Sequence, residues 1–109
     1  MKYHVQIIED AEEDLFDIHQ YIALNDSTEN ADKLIGQLES ACQRLETMPN
    51  RGRIPPELRR LCVSQYRELI FKSYRIIYQI QDPNVFIHCF LDARRDLQEL
   101  LEQRLLRQS

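Results

Sequence analysis

The sequence has no long apolar run, and none approaches the roughly 18 consecutive residues that a membrane-spanning helix requires. Its first residues also lack the apolar core and small-residue cleavage site of a secretory signal peptide. From these two absences we expect a cytoplasmic protein that makes no contact with a membrane.

Cysteines are few and scattered. Cys42, Cys62 and Cys89 show no Cys-x-x-Cys spacing, and an odd, dispersed set argues against both a disulfide framework and a zinc site. We expect each cysteine to act as a small apolar side chain. We predict no metal and no cofactor.

The remaining composition is that of an ordinary globular protein. The 109 residues are 43% hydrophobic and 29% charged, which predicts one domain over residues 1–109. Residues 1–50 hold three Lys/Arg and eleven Asp/Glu, a balance of −8, while residues 51–75 hold seven and two, a balance of +5. This basic middle suggests an acidic partner or nucleic acid there. The alternative is a solvated rim balanced by the acidic front.

Periodicity predicts an α+β domain with the element order β–α–α–β–β–β–α. Residues 3–8 alternate like a strand, and Asp10 with Glu13 resembles a capping box at the start of a first helix. A break at residues 25–27 separates this helix from a second, longer one that Pro49 ends. The short break predicts an antiparallel helical hairpin.

The second half of the chain is rich in β-branched and aromatic residues. A proline-rich loop over residues 49–60 precedes three predicted strands, and a leucine-striped helix over residues 93–107 follows them. The predicted strands are residues 66–71, 74–81 and 85–91. The N-terminal strand must join these three, so we predict a small, mainly antiparallel sheet with the helical hairpin packed on it.

Several short motifs follow one another in the order of a known family. They are Arg-Gly-Arg at 51–53, Pro-Glu-Leu at 56–58, Tyr-Arg-Glu-Leu-Ile at 66–70, Tyr-Arg-Ile-Ile-Tyr-Gln-Ile at 74–80 and Asp-Ala-Arg-Arg-Asp-Leu at 92–97. Behind a strand and an acidic helical hairpin, this set resembles the RelE/ParE toxin superfamily, most closely its ParE-like branch. The resemblance implies a type II toxin linked to growth arrest and plasmid stabilisation, which a co-encoded antitoxin with a disordered acidic tail neutralises.

The superfamily divides between two mechanisms. RelE-like members cut mRNA in the ribosomal A site, whereas ParE-like members inhibit DNA gyrase and cut no RNA. If the chain is RelE-like, the resemblance assigns the catalytic cations to Arg67, Arg75 and Arg95. The base and the acid that RNA cleavage also needs have no evident candidate near the C-terminus, because no His, Tyr or Lys follows Phe90.

Residues elsewhere are weaker candidates for this acid–base work. His88 lies between Phe86 and Phe90, which we expect to share its face, so a packed, hydrogen-bonded histidine is the better interpretation. Glu68 is a conceivable base, and the tyrosines of residues 74–80 are predicted core residues. A sequence pI near 5.3 is also low for a protein that enters the ribosome.

These observations favour a ParE-like gyrase inhibitor, which is not an enzyme. The alternatives are a RelE-like ribosome-dependent mRNA endonuclease and an inactive relative that only binds its antitoxin. We expect the antitoxin tail to bind at Arg67, Arg75, Arg94 and Arg95. We expect gyrase contact from the C-terminal helix through Arg94, Arg95, Arg104 and Arg107. A helix that merely caps the sheet is the alternative there.

Overall fold

The computed structural model describes residues 2–93 and Arg104, and its first half is one strand followed by a helical hairpin. The elements are β1 at His4–Ile7, α1 at Glu9–Asn25 and α2 at Thr28–Gln43. The two helices pack against each other, which confirms the predicted hairpin. Within this described part, no helix combines the length and the apolar character needed to cross a membrane.

The helix boundaries confirm the predicted break at residues 25–27 and correct the predicted cap at Asp10. Ser27 caps α2, because its hydroxyl accepts a hydrogen bond from the backbone N–H of Asn30 at 3.1 Å. The predicted capping box at Asp10 is wrong, since α1 starts directly after Ile8, whose carbonyl accepts from Glu12 N–H at 3.0 Å. The acidic first turn instead lies at the positive end of the helix dipole.

The second helix is not the longer one. α2 has 16 residues against 17 for α1, and it passes into a 3₁₀ turn at Arg44–Glu46 before Pro49 is reached. The loop after it is also more ordered than predicted, with a 3₁₀ turn at Pro49–Arg51 and a single helical turn, α3, at Pro56–Arg59. Proline suits both starts because the first helical positions need no N–H donor.

Four strands form one sheet in the order β1-β4-β3-β2. The last three strands are β2 at Tyr66–Phe71, β3 at Tyr74–Gln81 and β4 at Asn84–Asp92. β1 pairs parallel with β4, and the other two pairs are antiparallel. The predicted α+β class, a helical hairpin on a small and mainly antiparallel sheet, is confirmed.

Strand alternation gives the sheet two buried faces. The face towards the helical hairpin carries the main core, where Ile76 and Tyr78 pack with Leu15 and Leu38 of the helices. We call the other side the α3 face. It carries a smaller cluster of Leu58, Tyr66, Ile77, Cys89 and Leu91.

β4 contains one extra residue, His88, because its register with β3 shifts there by one position. The bulge changes the alternation, so the His88 ring meets the Tyr66 ring on the α3 face while Phe90 packs in the main core. The expectation that Phe90 shares the face of His88 is therefore wrong. The expected hydrogen bond is present, with 3.3 Å between His88 Nε2 and Gln79 Oε1.

The cysteines divide by burial. Cys42 and Cys89 are buried, and this burial raises the pKa of each thiol to about 12. Cys62 is exposed in the turn that follows α3, where its φ is 59°. Two of the three cysteines thus behave as the expected apolar side chains, and Cys62 does not.

Candidate functional site

The Arg-Gly-Arg loop pairs with the edge strand β2. Arg53 N–H donates to the Glu68 carbonyl at 3.0 Å, and Glu68 N–H donates to the Arg53 carbonyl at 2.6 Å. The Tyr78 hydroxyl donates to the Pro49 carbonyl at 2.7 Å and accepts from Gly52 N–H at 3.0 Å. These bonds hold the loop tightly against the sheet.

Glycine is required between the two arginines of that loop. A Cβ atom at Gly52 would lie 2.5 Å from the carbonyl oxygen of Glu68 and 2.5 Å from the hydroxyl of Tyr78. Both neighbours are fixed, one as backbone and the other as a fully buried ring. The motif therefore serves first to bring the loop close to the sheet.

Four charged side chains form a network on the α3 face. Arg75 donates from Nε to Glu68 at 2.5 Å, and from Nη1 and Nη2 to the two Glu57 oxygens at 2.6 and 2.8 Å. Arg53 donates from Nε to the other Glu68 oxygen at 2.7 Å. Side-chain exposure is 0% for Glu68, 10% for Arg75 and 19% for Glu57, against 63% for Arg53. Two cations and two carboxylates thus neutralise each other.

The pKa values of the network agree with this pairing. The Arg75 guanidinium, hydrogen-bonded to the Glu57 carboxylate, holds the pKa of Glu57 below its usual value against the opposing effect of burial. Hydrogen bonds to Glu57 and then Glu68 raise the pKa of Arg75, although burial opposes them. Glu57 and Arg75 are therefore both ionised at neutral pH.

The structure separates the two strand arginines that the sequence placed in one site. Arg67 lies opposite Tyr78 in the register of β2 and β3, on the hairpin face, and donates from Nη1 to the Gly52 carbonyl at 2.9 Å. Arg75 lies on the α3 face inside the charged network. Arg94, Arg95 and Arg107 fall outside the described residues. The antitoxin site predicted on these arginines stays a prediction.

Arg104, the described residue of the C-terminal segment, is helical and already engaged. Its Nη1 lies 2.9 and 2.8 Å from the two Asp14 carboxylate oxygens, and its Nη2 donates to the His88 carbonyl at 2.9 Å. The sequence suggested that Arg104 projects towards a target, but its side chain is only 17% exposed.

The His88 ring contacts the Tyr66 ring on the α3 face. Burial and then the positive charge of Arg104 lower its pKa, so the ring is neutral at pH 7. Its Nδ1 is buried and has no hydrogen-bond partner among the described residues. The ring is thus a packed side chain with one nitrogen bonded to Gln79.

Exposed positive charge concentrates around α3. The exposed arginines there are Arg51, Arg59, Arg60 and Arg53, the last of which is paired with Glu68. A shallow groove of about 330 Å³ lies beside them, with the half-exposed Ile70 in its wall. The sequence pointed to this basic region, but it singled out neither Arg53 nor Glu57. The Arg-Gly-Arg and Pro-Glu-Leu motifs contain these two residues and were the only sequence feature that could have pointed to them.

Across residues 2–93 and Arg104, no cluster of three potential metal ligands is found.

Residues 5–100 match the family described as the ParE toxin of the type II toxin–antitoxin system parDE. The chain belongs to this family. The predicted membership of the RelE/ParE superfamily is thereby confirmed, and the chain is the toxin component of a type II toxin–antitoxin system. No curated protein matches the sequence.

Solved structures share the fold of this ParE-family toxin at low identity. A chain of the chromosomal ParDE system from P. aeruginosa aligns with a TM-score of 0.73 and 16% identity, over 85% of this toxin and 98% of that chain. The toxin–antitoxin complex RelBE2 from Mycobacterium tuberculosis gives 0.63 and 17%, over 85% and 94%. A mutant of E. coli toxin RelE in the free state gives 0.64 and 16%, over 98% of both chains. The first two neighbours come from toxin–antitoxin systems, which supports an antitoxin partner here.

Proposed function

We propose that this ParE-family toxin arrests growth as a protein inhibitor of DNA gyrase in the cytoplasm, and that a co-encoded antitoxin neutralises it. The observation that carries the proposal is the neutral network of Arg53, Glu57, Glu68 and Arg75. The network engages Arg75, the strand arginine that a nuclease of this fold would need to bind the reacting phosphate.

Cleavage of RNA without a metal requires a cation for the crowded phosphate. Arg75 uses Nε, Nη1 and Nη2 on two carboxylates, and its side chain is 10% exposed. A phosphate that approached Arg75 would also meet Glu57 and Glu68, which would repel it. A surface of this kind favours protein contacts over phosphate chemistry.

The same reaction requires a base that can reach the 2′-hydroxyl. Glu68 has no exposed side-chain surface and already accepts from Arg53 and Arg75. His88 is neutral, but one of its nitrogens bonds Gln79 and the other is buried. His88 is nevertheless the described side chain that most resembles a base, and it is therefore the residue to mutate in a test.

An acidic antitoxin segment suits the exposed arginines around α3. Arg60 lines the groove with Ile70, and Arg59 and Leu61 are its neighbours in sequence; Leu61 and Ile70 are 41% and 50% exposed. Acidic residues on a partner would pair with the arginines while apolar residues cover the aliphatic side chains. This surface replaces Arg75 in the proposed antitoxin site. Arg67 lies on the other face of the sheet, and its part in antitoxin binding, like that of Arg94 and Arg95, stays a prediction.

Two assays on purified toxin test the proposal. In a gyrase supercoiling assay, added toxin is expected to inhibit the enzyme, and the antitoxin to restore it. In a translation extract, the same toxin concentration is expected to leave protein synthesis and mRNA length unchanged.

Cuts in ribosome-bound mRNA that disappear in the His88→Gln variant would overturn the proposal in favour of a RelE-like endonuclease. Arg59→Gln, on the same side of the molecule but exposed, serves as the matched control for such cuts. A toxin that affects neither assay, and does not slow growth when induced alone, would be an inactive relative.

A further inference from the structure

The edge of β4 is only partly covered by β1. β1 pairs with residues 84–87, and Ile8 N–H donates to the Ile87 carbonyl at 3.1 Å before the chain turns into α1. Beyond Ile87 the outer edge of β4 faces helix α1 instead of a strand. Its backbone groups there need other partners.

Two charged side chains supply those partners. Asp14 of α1 accepts from Phe90 N–H at 3.0 Å, and Arg104 donates to the His88 carbonyl at 2.9 Å. Asp14 and Arg104 also bond each other through both carboxylate oxygens, at 2.9 and 2.8 Å. One ion pair therefore joins α1, the bulged part of β4 and the C-terminal segment, across 90 positions of sequence.

The pair is well shielded from water. Side-chain exposure is 19% for Asp14 and 17% for Arg104, so solvent screens their attraction only in part. Burial raises the pKa of Asp14 above its usual value even though Arg104 opposes that effect. Because the pKa of Asp14 is higher in the folded state, its ionised form lowers the stability of the fold at neutral pH. Such an ion pair contributes more to fixing the relative positions of the elements that it joins than to the stability of the fold.

We infer that Asp14 and Arg104 are positioning residues, whose contact at the β4 bulge the toxin needs in order to act on its target. The inference rests on the proposed function for the identity of that target. It removes Arg104 from the predicted target contacts and gives Asp14, which the sequence did not single out, a role in toxicity.

Asp14→Asn is the first test variant, because asparagine keeps the shape and still accepts from Phe90 N–H while losing the charge. Trypsin cuts after arginine, so cleavage after Arg104, followed by mass spectrometry, reports directly on docking. We expect cleavage about tenfold faster than in wild type, in line with the coupling found between charges in contact. Asp17→Asn, one turn along α1 and exposed, is the matched control and is expected to leave the rate unchanged.

Inhibition of gyrase is measured on the same proteins, at equal folded concentration judged by circular dichroism. Asp14→Asn and Arg104→Gln are each expected to lower inhibitory potency about tenfold, and the double variant no further, because the two residues act through one contact. A purely structural role would instead lower the melting temperature and leave the potency of the folded protein unchanged.

Unchanged cleavage after Arg104 in Asp14→Asn would overturn the docking. Faster cleavage with unchanged potency, or additive losses in the double variant, would overturn the positioning role. If wild-type toxin does not inhibit gyrase, the proposed function fails separately. Growth arrest upon induction then replaces supercoiling as the readout of toxicity. The trypsin experiment does not depend on the target and keeps its meaning.

Discussion

Replacing Arg75 by methionine separates a structural arginine from a catalytic one. The guanidinium bonds the two carboxylates of Glu57 and Glu68, and Glu68 has no exposed side-chain surface. Methionine fills a similar volume but leaves both carboxylates without this partner. Breaking a buried ion pair from one side costs about 3–5 kcal/mol.

The expected cost lies at the lower end of that range. Arg53 still donates to Glu68 in the variant, and Glu57, at 19% exposure, can turn partly towards water. We therefore expect Arg75→Met to lower the free energy of unfolding by about 3 kcal/mol. For a domain of this size that corresponds to a melting temperature roughly 12 °C lower.

Chemical denaturation followed by circular dichroism measures this loss. Arg59→Met is the matched control, because Arg59 is exposed, and it is expected to change stability by less than about 0.5 kcal/mol. Adding Glu68→Gln to Arg75→Met removes a buried charge that is left with Arg53 as its cationic partner, and is expected to restore at least about 1 kcal/mol. If Arg75→Met were as stable as the control, the network would not be structural and Arg75 would be available for function.

Three further predictions concern the loop, the pH dependence and the cysteines. Gly52→Ala is expected to cost about 1–3 kcal/mol in thermal denaturation, because its Cβ would lie 2.5 Å from the Tyr78 hydroxyl; equal stability would mean that the loop moves freely. Because the pKa of Glu57 is lower in the folded state, its contribution to stability is present above its usual value of 4.5 and disappears as the pH falls through the folded value. Glu57→Gln should flatten that acid limb of the stability curve, and an unchanged limb would contradict the assignment. With a thiol reagent at pH 8, native protein should modify Cys62 at once and the two buried cysteines only after unfolding; rapid reaction of all three would contradict the burial.

Most of the fold could be predicted because its signals are local. Strands β2 and β3 begin and end where alternation predicted, and Ser27 caps α2 at the predicted break. The start of α1 was mistaken because backbone atoms of Ile8, rather than a polar side chain, close its first turn. Sequence patterns reflect side chains, so they do not reveal a cap that backbone atoms form.

The site was less predictable because its contacts join residues far apart in sequence. Arg75 lies on the face opposite Ile76 and Tyr78, as alternation along a strand requires. Alternation could not show that Glu57, 18 residues earlier, caps the guanidinium, nor that Asp14 would meet Arg104 from 90 residues away. The bulge at His88 was hidden for the same reason, since an extra residue in a ladder is defined only by the partner strand.

The presence of arginines alone therefore cannot assign a mechanism within this fold. An arginine on β3 serves phosphate chemistry only where its donors are free, and here two carboxylates take them. The motifs that carry the resemblance, Arg-Gly-Arg and Pro-Glu-Leu, supply Gly52 for the loop contact and Glu57 for the ion pair. They specify the architecture of the α3 face. The choice between gyrase and mRNA depends instead on whether an uncovered base and cation stand together, and in the described part of this toxin His88 and Arg75 do not meet that condition.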